Sequence, residues 1–220
     1  MKIVQLFKGG ACLLNADLTA RFEKLKNHTP HVLGSKTLST YAVLLPLIKM
    51  DNEIQILFEI RAHHLRRQPG EICFPGGRIE KGVENSETAA IREASEELQI
   101  EKESINIIGP LDFLVQPYET IIYPYVGWIE KELSAISPNK SEVDKLFTVP
   151  LSYLLEAEPK VYTVQFKVQP EENFPYHLIP DGKNYNWRRR SMDEYFYFYE
   201  DKVIWGLTAR ILHEFIEYLK

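Results

Sequence analysis

One stretch constrains this chain more than any other. From Gly70 to Ile100 it reads GEICFPGGRIEKGVENSETAAIREASEELQI, passing from an apolar strand through a glycine pair into a helix. Advancing each residue by about 100° around a helix axis places Glu96 and Glu97 on either side of Glu93, while Ile91, Ala94 and Leu98 fall opposite. The helix therefore packs one way and carries three carboxylates the other way.

That arrangement does not favour stability alone. Like charges three and four positions apart oppose a solvated helix by a few tenths of a kcal/mol. Two of them about 6 Å apart in a partly dry cleft repel by roughly 3 kcal/mol at an effective dielectric of 20. A divalent cation reverses the sign of that interaction. Full-charge oxygen ligands suit Mg²⁺ or Mn²⁺ better than zinc, which recruits Cys or His. The bland alternative is a solvated acidic face. Against it stand Phe74-Pro75-Gly76-Gly77, then Glu84, then Arg92-Glu93.

Taken together, Gly77, Glu84, Arg92, Glu93, Glu96 and Glu97 resemble the Nudix box, G-x5-E-x7-R-E-U-x-E-E-x-G-U with U a bulky apolar residue. Six residues rather than five separate Gly77 from Glu84, Ala94 stands where a larger apolar residue is usual, and Gln99 replaces the last glycine. Upstream, Leu57 to Glu71 resembles L-L-T-x-R-S-x-x-L-R-x-H-x-G-E of coenzyme A pyrophosphatases, with Arg61, Leu65, Arg66, Gly70 and Glu71 at its fixed positions. Glu59-Ile60 replace the Thr-x pair, and Gln68 stands where His is usual.

The resemblance implies an α/β (α+β) fold, the Nudix α/β/α sandwich with a mixed sheet between helices. It implies that Glu93, Glu96 and Glu97, with the carbonyl of Gly76, hold Mg²⁺ or Mn²⁺, and that Arg92 orients Glu84 or Glu93. Gly77 lets backbone approach a metal or phosphate, and Arg61, Arg66 and Arg67 meet substrate. An acid outside the box often assists in the wider family, and Glu142 is the candidate here; a first-turn helix acid is its structural alternative. The substrate implied is coenzyme A or an acyl derivative, cut to 3′,5′-ADP and 4′-phosphopantetheine. The rival readings are a pyrophosphatase for ADP-ribose or a nucleotide sugar, and a Nudix-like binding module without turnover.

The rest of the chain is consistent with one domain over residues 1–220, bearing an N-terminal helical extension (about 1–38) and a C-terminal elaboration (about 159–220). Its 45% hydrophobic and 26% charged content is that of a globular protein, and a net charge of −5 implies neither a nucleic-acid nor a membrane surface. The first fourteen residues, MKIVQLFKGGACLL, are interrupted by Lys8-Gly9-Gly10, unlike the core of a secretory signal, so a cytoplasmic location is expected. Monomer and homodimer both stay open. Cys12 and Cys73 lack metal-site spacing, and Cys73 reads as a buried reduced thiol.

Helices are expected at Leu18–Asn27, at 141–146, from Ser152, and over Val203–Ile216. Strands are expected at 40–48, 54–60, 105–110, 111–115 and 121–129, where Pro124 suggests an edge or bulge, and at 161–168 and 194–199. Trp187-Arg188-Arg189-Arg190 reads either as a base-stacking, phosphate-holding group or as a solvated turn. Of the six histidines only His63-His64 lies beside the arginines, and His213 reads as a surface or packing residue.

Overall fold

The computed structural model describes residues 16–30, 32–34, 37–50, 52–116 and 120–220. Cys12 and the rest of the first fourteen residues lie outside them. The chain divides into two units, Met1–Leu38 and Ser39–Lys220. The first contains α1 (Ala16–Lys26), whose Phe22 and Leu25 side chains are exposed.

In the second unit, near-continuous apolar runs, buried on both faces, build the centre of a mixed sheet. Its long central strands are β1 (Ser39–Met50), β2 (Glu53–Arg61) and β7 (Thr120–Ile129). Shorter strands complete it: β3 (Ile72–Cys73), β4 (Gly76–Arg78), β5 (Ile105–Pro110), β6 (Leu114–Gln116) and β8 (Val143–Pro150). The order is β3-β2-β1-β7-β5, with β4 also on β1, β6 on β7 and β8 on β2. Among the described residues only β1 and β7 pair in parallel.

Helix α2 (Ser86–Leu98) covers one face. Its Ala89, Ala90, Ala94 and Leu98 are buried with Ala42, Leu44, Ile48 and Leu57. Small side chains at three of those four positions let the helix axis approach the sheet closely, which is why Ala94 suits a place where a larger residue is common. The opposite face is covered by α4 (Gly206–Leu219), whose Ile211, Leu212, Phe215 and Ile216 pack with Leu45, Phe58, Phe74 and Val126. Helix, sheet and helix form the expected sandwich. A second sheet, β11 (Lys202–Ile204), β10 (Arg190–Tyr199) and β9 (Lys160–Phe166), contributes Tyr197 and Ile204 to the α4 side, and short α3 (Leu151–Glu156) contributes Leu154.

Three local expectations are corrected. Residues 141–146 do not open a helix: Asn139 caps a turn, and Val143 begins β8, which pairs with β2 and stacks Phe147 on Phe58 at 5.2 Å. An unpaired β2 edge demands hydrogen-bonding partners, and that demand outweighs local helical spacing. Residues 202–204 likewise pair with β10, so the closing helix starts at Gly206 rather than Val203. The strand expected over 111–115 forms only at Leu114–Gln116.

Pro124 lies in a strand paired on both sides, not at an edge. Its carbonyl accepts from Leu111 N at 2.9 Å, at the gap between β5 and β6. In an extended chain the N–H and C=O of one residue face the same way, so the proline ring points where the ladder is already interrupted.

Candidate active site

Helix α2 has well-defined ends. Asn85 accepts from Thr88 N through its side chain at 2.8 Å, capping the start, and Gln99 ends the helix at φ 53° and ψ 50°. Gln99 thus takes the left-handed conformation usually given to glycine at a helix stop.

From the middle of the helix Arg92 gathers the loop. Its Nε and Nη2 donate to the two oxygens of Glu84 at 3.1 and 2.8 Å, forming a fork, and Nη1 lies 2.9 Å from Glu93 Oε1 and 3.2 Å from Glu96 Oε2. Nη2 also donates to the Arg78 carbonyl at 3.2 Å. The longer loop therefore still delivers Glu84, which accepts in addition from Glu80 N. The guanidinium holds the Glu84 carboxyl below the usual carboxylate range, and Glu84 in return raises the pKa of Arg92.

The three box acids do not share one environment. Glu96 is open to solvent, its side chain 56% exposed; that of Glu93 is 17% exposed, and Glu97 is buried, at 5%. Glu97 Oε2 accepts from Gly76 N at 2.8 Å. Even with that bond, burial, with Glu142 and Glu93 nearby, pushes its pKa up to about 8. Burial also raises the pKa of Glu93, partly offset by Arg92. The glycine pair makes these approaches possible. A Cβ on Gly76 would meet the Ala42 carbonyl at 2.5 Å, and one on Gly77 would meet Glu93 Cδ at 2.2 Å.

One residue of this group escaped sequence reasoning. Glu59 on β2 is 1% exposed, and its Oε1 is buried without a hydrogen-bond partner. Burial raises its pKa well above the usual range, followed by the charge of Glu97; Arg61 counters, and Glu142 adds to the rise. The signal was period-two alternation: Glu59 is two residues from Leu57, which packs against α2. Cys73 pairs with Glu59 across β2 and β3 and is a free thiol; burial first, then Glu59 and Glu97, raise its pKa, which makes it a poor nucleophile.

The structure brings Arg61, half-buried, into the field of Glu59 and Glu97, whereas Arg66 and Arg67 are exposed on the following loop. Glu142 borders the same region: its carbonyl accepts from Ala62 N at 2.8 Å. His64 Nε2 lies 3.1 Å from the Ser141 carbonyl, and His63 packs against Gly70. Trp187 meets Phe174 and Tyr185 edge-on and, with Arg188 and Arg189, lines a surface cavity. His213 is a packing residue, stacked on Tyr195 and 2.9 Å from Tyr197 Oη.

Among the described residues, no three His, Cys, Asp or Glu side chains are grouped closely enough to hold an ion as they stand. By donor chemistry the group fits a hard divalent cation: its acids are carboxylates, burial and mutual repulsion weaken two of them, and one buried carboxylate oxygen lacks a partner.

A family profile described as the NUDIX domain matches residues 39–171. Nudix hydrolase 3 of Caenorhabditis elegans is 31% identical over 191 residues, 85% of this chain and 76% of that one. Peroxisomal coenzyme A diphosphatase NUDT7 of Mus musculus is 34% identical over 140 residues, 63% of this chain and 58% of that one. In fold, the chain is similar to the crystal structure of a MutT/nudix family protein from Enterococcus faecalis, with a TM-score of 0.50 and 15% identity over 91% of this chain and 69% of that one.

The chain belongs to the Nudix family and is a Nudix pyrophosphohydrolase. Its relatives include a coenzyme A diphosphatase, and members of the family use divalent metal ions. No helix among the described residues is long and apolar enough to cross a membrane.

Proposed function

We propose that this enzyme hydrolyses the diphosphate of coenzyme A or acyl-coenzyme A, releasing 3′,5′-ADP and 4′-phosphopantetheine or its acyl form. Glu93, Glu96 and Glu97, with the carbonyl of Gly76, hold Mg²⁺ or Mn²⁺. The observation that carries the catalytic assignment is Glu97: a buried carboxylate bonded to the Gly76 N–H and weakened by Glu93 and Glu142. Divalent ions bound there neutralise phosphate charge, orient the two phosphates and lower the pKa of water.

The chain's own groups supply the rest. Arg92 holds Glu84 and steadies Glu93 by charge-assisted hydrogen bonds. Glu93, half-buried and with its pKa raised by that burial, accepts the proton of the attacking water. Arg66 and Arg67, exposed on the loop after β2, read the 3′-phosphate that distinguishes coenzyme A from most nucleotide diphosphates, and Arg61 adds positive charge next to the acids. The working unit is a single catalytic domain, with the N-terminal helix as an extension and the β9–β10 region as an elaboration. Support for this substrate comes from the Arg61–Glu71 segment and from the coenzyme A diphosphatase among the relatives.

The test is a panel of coenzyme A, dephospho-coenzyme A and ADP-ribose, incubated with the enzyme in Mg²⁺ or Mn²⁺ and read by mass spectrometry. Coenzyme A is expected to show the highest kcat/KM, with loss of the 3′-phosphate costing at least tenfold, roughly what one lost charged contact is worth. Preferential cleavage of ADP-ribose would replace this substrate, and tight binding without products in either metal would mark a non-catalytic module.

A further inference from the structure

We infer that Glu59 is an additional carboxylate of the cation site, supplied by the sheet beneath Glu97. The inference rests on the assignment of the box acids as cation-holding groups and adds a residue outside the box. In the resembled coenzyme A pyrophosphatase segment this position is threonine, so Glu59 departs from that pattern.

Geometry carries the inference. Leu57 faces α2 and Phe58 faces Phe74 and Phe147 on the other side of the sheet, so Glu59 projects towards α2. It is 1% exposed, and its Oε1 is buried without a partner. Native structures leave few such oxygens unsatisfied, and each asks for an explanation. The groups facing it are Glu97 from α2, Glu142 ahead of β8, Cys73 on β3 and Arg61 on its own strand. Arg61 is the one cation among these, and its own Nε is also buried without a partner, so that nitrogen does not satisfy Glu59 Oε1. A hard divalent cation would satisfy the free oxygen and offset the three acids together.

The experiment is Mn²⁺ titration of the full chain, followed by the electron paramagnetic resonance signal of free Mn²⁺, for wild type, Glu59→Gln, Glu59→Thr and Glu97→Gln. Circular dichroism melts run alongside. Both Glu59 variants are expected to raise the Mn²⁺ dissociation constant by about 10- to 100-fold, the range seen when groups supporting a metal site are removed. If Glu59→Gln does not fold, Glu59→Thr, carrying the residue of the resembled segment, reads the same constant. Affinity within twofold of wild type in the folded Glu59 variants, with Glu97→Gln clearly weakened, overturns this role and leaves the box assignment standing. An undiminished Glu97→Gln would overturn the box assignment itself.

Discussion

A methyl group placed on Gly77 would lie 2.2 Å from the Cδ of Glu93, so a larger residue can share the space between strand backbone and carboxylate only if that carboxylate moves. The obstructed group is the tip of a flexible side chain, which can swing aside. Gly77→Ala should therefore melt within a few degrees of wild type yet lose at least 100-fold in kcat, on the order of the cost of misplacing a reacting group by an ångström. Gly76→Ala differs in kind, because its methyl meets the Ala42 carbonyl and the Val43 Cα. That collision is with backbone, and a loss of about 2 kcal/mol or more in denaturant unfolding is expected. Equal melting points for the two variants would contradict this contrast.

Glu97→Gln keeps the size of the side chain and an oxygen for the Gly76 N–H. It should fold normally, since the acid it replaces is itself weakened by burial. Turnover in saturating Mg²⁺ is expected to fall by 10²-fold or more. Wild-type turnover in this variant would remove Glu97 from the catalytic assignment.

The raised pKa of Glu97 also predicts how stability changes with pH. In chelator, the folded protein keeps a proton on Glu97 between its unfolded value near 4.5 and its folded value of about 8, a proton the unfolded chain has already released. Folded binding exceeds unfolded binding in that window, so stability falls as pH rises through it, by up to about 1.4 kcal/mol per pH unit from this group. Glu84 has the opposite sign: its lowered pKa adds stability that is lost only below the ordinary carboxylate range. Chemical denaturation in EDTA from pH 5 to 8 should show the decline, and added Mg²⁺ should restore most at the alkaline end. A flat profile would contradict the assignment.

Arg92→Lys keeps the charge but cannot span both oxygens of Glu84 while reaching Glu93 and Glu96. A loss of about 2 kcal/mol in stability is expected from this largely buried fork. A fall in kcat of about 10- to 100-fold is expected as Glu93 loses its support. Unchanged kcat would separate the fork from catalysis.

Gln99 is exposed and holds a left-handed conformation at the end of α2. Gln99→Gly relieves that conformation at the cost of a more flexible unfolded chain, so a net gain of about 0.5 to 1 kcal/mol is expected, with turnover unchanged. Thermal melts and steady-state rates check both halves of this expectation.

Much of the site was legible in the chain because it is local. The acids of α2 sit at helical spacing, and Gly76-Gly77 precede that helix within one supersecondary unit, so neighbouring residues carry the information. The long apolar strands β1, β2 and β7 were legible for the same reason. Residues 143–146 and 202–204 became strands because β2 and β10 needed partners, a demand set by residues far away in sequence. The different fates of Glu93, Glu96 and Glu97 were equally hidden, since identical side chains on one helix differ only in what packs over them. Glu59 is the clearest case. By sequence it is an ordinary acid in a strand; packing α2 onto the sheet buried it beside Glu97, and only the tertiary fold excludes water from both.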